Sequence, residues 1–113
     1  MIQVFHNPRC GKSRACLAFL NESGKEFEIV KYLETVPTFD ELSSIIKKLG
    51  ISPLELVRQK EKLWTEEFKS KKLSDEDIIG AMIANPILIE RPIVVNGNRA
   101  VIARPSEKAA SII

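Results

Sequence analysis

Residues 2–33, IQVFHNPRCGKSRACLAFLNESGKEFEIVKYL, decide the fold. Ile2–Phe5 is a short apolar run that reads as a strand, and Phe27 and Ile29 mark a second strand in FEIVKYL. Between them, from Gly11 to Glu22, Cys16, Leu17, Phe19 and Leu20 form an apolar stripe at helical spacing, ended by Ser23-Gly24-Lys25. Two strands joined by a helix of this length make a βαβ unit. Such strands are expected to be parallel, with a right-handed crossover.

The middle of the chain reads as helical. Thr38 stands three residues before Glu41, a capping box, and leads into Leu42, Ile45, Ile46 and Leu49 at helical spacing until Gly50 stops the run. Pro53 opens a short helix in SPLELVRQ, and another is expected from Trp64 through Phe68. Ser74 then caps DEDIIGAMIAN, whose Ile78, Ile79, Met82 and Ile83 form one buried face. The mixed-sign run KLWTEEFKSKKLSDED reads as a solvated helical face with a loop, and Trp64 as a core or lid aromatic.

Strands return at the end. RPIVVNGNRAVIARP sets Asn96-Gly97 between two β-branched runs, a strong hairpin signal, and a last short helix begins at Pro105 or Ser106. The order β-α-β, helical block, β-β-α is that of an α/β protein of thioredoxin-like fold, with a mixed four-stranded sheet. One domain is expected over 1–113, with a helical insert over about 38–85.

Composition narrows the function classes. Of 113 residues, 44% are apolar and 28% charged, which suits a folded globular chain rather than a disordered one. A net charge of +2 is too small to imply a nucleic-acid partner, so any basic site must be local. No run is long and apolar enough for a membrane span, and MIQVFHNP lacks a signal-peptide pattern, so a cytoplasmic setting is expected. Two cysteines make no disulfide framework there. One histidine and two cysteines without ligand spacing give no metal site, and no flavin or nucleotide fingerprint is present.

HNPRCGKSR, residues 6–14, is the stretch with chemistry. A phosphate-binding P-loop would need glycine where His6 stands, and a phosphatase cradle would need arginine where Cys16 stands. A dithiol motif would need cysteine at Ser13; Cys16 lies about one and two-thirds turns further along and should point into the core. What remains is a single nucleophile, Cys10, at the first exposed amides of a helix, with Arg9, Lys12 and Arg14 nearby and Ser13 offering a hydroxyl. His6 could supply a positive charge or a hydrogen bond. The alternative is a buried structural cysteine on a strand-to-helix turn.

A thiolate needs an electrophile, and arginines suggest which. Arg91 and Arg104 bracket the hairpin in two Arg-Pro dipeptides, so their ends lie side by side, and Arg58 adds a third guanidinium in ELVRQK. The guanidinium fork suits an oxyanion because it binds two oxygens at once.

With HNPRCGKSR, PILIERPIVV and ARPSE in place, and YLETVPTFDEL and LGISPLELVRQK between them, the chain resembles the glutaredoxin-dependent arsenate reductase family over essentially its whole length. That resemblance implies a thioredoxin-like fold, Cys10 as catalytic cysteine, His6 and Ser13 as residues that keep its thiolate charged, and Arg58, Arg91 and Arg104 as the oxyanion-binding set. It places Pro92 where such folds carry a cis-proline beside the active cysteine. It also implies arsenate as substrate, with phosphate as its mimic, and glutathione as co-substrate with no bound cofactor. Glutaredoxin is the implied protein partner, and the expected chain is a monomer with no nucleic-acid or membrane partner. Two other functions stay open. One is a glutathione-linked thiol reductase acting on disulfides. The other is an Spx-type regulator that binds RNA polymerase, although many of those sense oxidation through C-x-x-C, which Ser13 interrupts.

Overall fold

In the computed structural model, which describes residues 1–113, Ile2–Phe5 (β1) pairs in parallel with Phe27–Val30 (β2), Ile2 opposite Phe27 and Phe5 opposite Val30. Gly11–Ser23 (α1) makes the crossover between them. Ile93–Asn96 (β3) runs antiparallel to the other side of β1, and Arg99–Ile102 (β4) pairs antiparallel with β3. The sheet order is therefore β2-β1-β3-β4, mixed and four-stranded, as the βαβ and ββα halves of the sequence predict.

Alternation builds the core on one face of this sheet. Ile2 and Val4 of β1 and Val94 of β3 point to the side that α1 covers with Cys16 and Leu20, and Ala103, Ala109 and Ile112 close it from the C-terminal segment. Along α1 the buried positions are Ser13, Cys16 and Leu20, spaced three and then four residues apart. Full burial of a leucine such as Leu20 contributes about 1.5–3 kcal/mol. The C-terminal segment itself, Ser106–Ser111, is a 3-10 helix, and Asn96 Nδ2 donates to the Ile112 carbonyl at 2.6 Å to hold its end.

The hairpin turns one residue later than the Asn-Gly signal suggests. Asn96 pairs with Arg99 inside the ladder, so Gly97 and Asn98 form the loop. Gly97 has φ of 61° and no other residue there has positive φ, the signature of a type II′ turn with glycine at its first central position.

Contacts divide the chain into two units, Met1–Thr35 with Arg91–Ile113, and Val36–Glu90. The second is helical: Phe39–Leu49 (α2), Pro53–Leu56 (α3), Lys62–Glu67 (α4) and Asp75–Ala84 (α5), then a 3-10 turn at Pro86–Leu88. α2 and α5 open on complete capping boxes, Thr38 with Glu41 and Ser74 with Asp77, each satisfying two backbone donors that a helix start leaves unpaired. α2 and α3 pack on α5, with Leu42, Ile45, Ile46, Leu56, Ile78, Ile79 and Met82 buried. Ala81 is buried and Ile83 only half-buried, a rotation of the expected α5 face. Trp64 is buried and stacks on Phe68, ring centroids 5.5 Å apart. A single antiparallel bridge, Val57 to Ile89, ties the residue after α3 to the C-terminal end of this block. No helix is long and apolar enough to cross a membrane.

Candidate active site

The residues between β1 and α1 are fixed by hydrogen bonds to the backbone. The His6 N–H donates to the Val30 carbonyl at 2.9 Å, carrying the β1–β2 ladder one residue past the strand. Asn7 then turns the chain: its Oδ1 accepts from the Arg9 N–H at 3.0 Å, and its carbonyl accepts from the Cys10 N–H at 3.0 Å. From the first turn of α1, Ser13 Oγ accepts from the Asn7 N–H at 3.3 Å, and Arg14 Nη1 donates to the Pro8 carbonyl at 2.9 Å. The helix clasps the loop that leads into it. Cys10 is thereby set at the N-cap position, with φ −93° and ψ 122°.

That position makes its sulfur acidic. Cys10 is only 9% exposed, and burial alone would push its pKa up. The Ser13 N–H, the Arg91 guanidinium and the Lys12 N–H outweigh that penalty and hold the thiol below its ordinary range. Cys16 has the opposite fate. It sits fully buried in the apolar core, and burial pushes its pKa up to about 11. Of the two sulfurs, only Cys10 is prepared to be a nucleophile.

His6 is 5% exposed, and its pKa is lowered by burial, then by the charges of Lys31 and Arg14, against a raising contact with the Ser13 backbone. It is a neutral imidazole at neutral pH, which leaves the hydrogen bond rather than the charge as what it can offer. Its Nδ1 is buried without a hydrogen-bond partner. Ser13 bears on the Cys10 sulfur through its backbone N–H, while its hydroxyl is engaged by Asn7.

Arg91 and Arg104 stand at the open end of the hairpin, where the Ala103 N–H donates to the Pro92 carbonyl at 3.0 Å and Arg104 Nη1 donates to the Arg91 carbonyl at 3.2 Å. The Arg91–Pro92 bond is cis, and so is Arg104–Pro105, which the sequence reading did not single out. Besides its contact with Cys10, Arg91 keeps Nε and Nη1 buried with no acceptor. An unmet buried donor costs about 1–3 kcal/mol, more when charged, so these two N–H groups are the most costly polar atoms of the site.

Arg58 belongs to the helical unit, where Nη1 pairs with Glu61 at 3.0 Å and Nε approaches Glu90 at 3.9 Å. Its backbone N–H donates to the Leu88 carbonyl at 2.7 Å, anchoring it beside the Val57–Ile89 bridge. The structure thus brings Cys10, His6, Ser13, Arg91, Pro92 and Arg104 into one unit and places Arg58 in the other. Sequence reasoning missed Asn7, although Asn-Pro is a turn signal, and the two carboxylates that hold Arg58. No group of three or more His, Cys, Asp or Glu side chains is placed to hold a metal ion.

Comparison with known proteins places the chain in a family. Residues 5–112 match the model of the ArsC family. The chain is 46% identical to the uncharacterized protein YfgD of Escherichia coli (strain K12), covering 99% of this chain and 96% of that protein. It is 40% identical to an arsenate reductase of Neisseria meningitidis serogroup B, covering 99% and 97%. Among solved structures, an arsenate reductase from Vibrio cholerae superposes with a TM-score of 0.94 at 39% identity, covering 99% of this chain and 97% of that one.

Proposed function

This chain belongs to the ArsC family, and on that premise we propose that it is an arsenate reductase working through the single cysteine Cys10, with glutathione and glutaredoxin as reductants. The Cys10 thiolate attacks arsenic, and one arsenate oxygen leaves as water after protonation, giving a thioester-like As(V) adduct. Glutathione sulfur then attacks the Cys10 sulfur, and arsenic departs with the bonding electron pair as arsenite. The resulting mixed disulfide between Cys10 and glutathione is reduced by glutaredoxin. Two thiols are oxidised and one arsenic is reduced, so the electrons balance.

The observation that carries this reading is the pairing of an acidified Cys10 thiol with the unmet Nε and Nη1 donors of Arg91. A neutral disulfide as substrate would leave those donors without an acceptor; a tetrahedral oxyanion meets them. Arg104, tied to the Arg91 carbonyl, is proposed to share the oxyanion, Arg58 is proposed as a third ligand on family membership alone, and His6 and Ser13 are proposed to keep the loop and the thiolate in place. Cys16 is too deeply buried and too weakly acidic to serve as a resolving thiol, so the second sulfur must come from outside the chain. We propose a monomer acting in the cytoplasm, with no bound cofactor.

The test is arsenate-dependent NADPH oxidation in a mixture of glutathione, glutaredoxin and glutathione reductase. Wild type should turn over and Cys10→Ser should not. Absence of turnover in wild type, or its persistence in Cys10→Ser, refutes the assignment.

A further inference from the structure

Between the loop after β1 and the turn after β2 lies a cavity of about 360 Å³ that the chemistry above does not use, with His6, Pro8, Arg9, Lys31, Leu33 and Glu34 in its lining. That volume lies in the range of small-ligand sites. The turn that forms one wall is fixed, since Glu34 N–H and Thr35 N–H both donate to the Lys31 carbonyl, at 2.9 and 2.8 Å. The opposite wall is the Asn7-pinned loop, and Arg9 is the residue bonded to Cys10, about 3.8 Å away from Cα to Cα.

Its charges form a pattern. Arg9 and Lys31 are cations and Glu34 is an anion, and none of the three is tied up in an ion pair within the chain. Glutathione at neutral pH carries two carboxylates and one ammonium, the complementary set, on a flexible tripeptide with a central thiol. Leu33 and Pro8 add apolar surface for its stem, and the His6 ring forms part of the lining. We propose that this cleft is the docking site of the tripeptide thiol, with Arg9 and Lys31 holding its carboxylates and Glu34 its γ-glutamyl ammonium, so that its sulfur is delivered to Cys10. The inference rests on glutathione being the reductant of the proposed function and names where it binds.

Arsenate is not needed to test it. Cys10 thiolate attacks glutathione disulfide to give the Cys10–glutathione mixed disulfide and release one glutathione thiolate. The rate is compared with that of dithiodiglycolate, a disulfide that has two carboxylates but no ammonium. Lys31→Glu should slow the reaction with glutathione disulfide by about fivefold, the equivalent of one exposed charge contact. Glu34→Gln separates recognition from general field. It should slow glutathione disulfide about two- to fivefold while leaving dithiodiglycolate unchanged or faster, because removing an anion favours approach of any other anion.

Titration with S-methylglutathione, which cannot react, should shift the amide resonances of residues 31–34 in wild type and not in Lys31→Glu. Equal responses of both disulfides to Glu34→Gln, or S-methylglutathione shifts that bypass residues 31–34, overturn the docking site. Binding of S-methylglutathione there in a protein that fails to reduce arsenate would uphold the site and remove only the arsenate assignment.

Discussion

Replacing Arg91 should raise the pKa of Cys10 in two steps. The guanidinium acts on the sulfur both as a hydrogen-bond donor and as a charge, in a site where Cys10 is 9% exposed and solvent screening is small. A charge-assisted hydrogen bond nets about 1.5–3 kcal/mol, and each pKa unit is about 1.36 kcal/mol, so Arg91→Ala should raise the thiol by about 1–2 units. Arg91→Gln keeps an N–H and loses the charge, and should fall between. Thiolate absorbance in the ultraviolet against pH gives the pKa directly.

Alkylation rates near pH 6 should fall less than the thiolate fraction does. A thiol of higher pKa is intrinsically more nucleophilic, with a Brønsted slope of about 0.4–0.5, so a loss of about 3- to 10-fold is expected rather than 10- to 100-fold. Stability carries the same sign. A depressed thiol pKa stabilises the fold fully above the usual thiol value of 9.0, and that contribution disappears as pH falls through the folded value. Wild type should therefore lose more stability between those limits than Arg91→Ala does. Three proteins with one shared pKa would refute the reasoning, and would leave the acidity of Cys10 to the helix amides alone.

Two further substitutions test the scaffold. Thr38→Ala removes the acceptor at 3.2 Å from the Glu41 N–H and should cost about 1 kcal/mol, lowering the melting temperature by about 4 °C; no change would mean that the box is ornamental to α2. Gly97→Ala meets no atom within 4 Å of the added carbon, so its cost should be the backbone term alone, about 1–2 kcal/mol in a urea melt, and an unchanged midpoint would mean that the turn relaxes to negative φ.

What the sequence made legible was local or periodic. Thr38-Glu41 and Ser74-Asp77 announced two helix starts because a capping box is complete within four residues. The parallel pairing of β1 and β2 followed from the length of the helix between them. Features that depend on distant partners were hidden. Arg58 shares its charge with Glu90, thirty-two residues along the chain, which no local pattern discloses. His6 loses its charge through burial and through Lys31, on the strand side of a different loop. α4 begins at Lys62 rather than at Trp64, and the 3-10 turn at Pro86–Leu88 went unread because proline ends one helix pattern without announcing a tighter one. The Asn96-Gly97 signal found the hairpin but not its register, since a type II′ turn asks for glycine first and leaves asparagine in the strand.

The depth at which Cys16 lies also sets a stoichiometry. With one sulfur acidified and the other held near 11, a broad span of pH exists in which an electrophile that consumes thiolate meets one reactive site per molecule. A maleimide, a heavy atom or a spin label should therefore enter once and at residue 10, without any cysteine being engineered away. The same asymmetry concentrates oxidative wear: peroxide should convert Cys10 to its sulfenic acid while Cys16 stays reduced, and with no partner inside the chain that first step can be reversed only by a thiol arriving from solution.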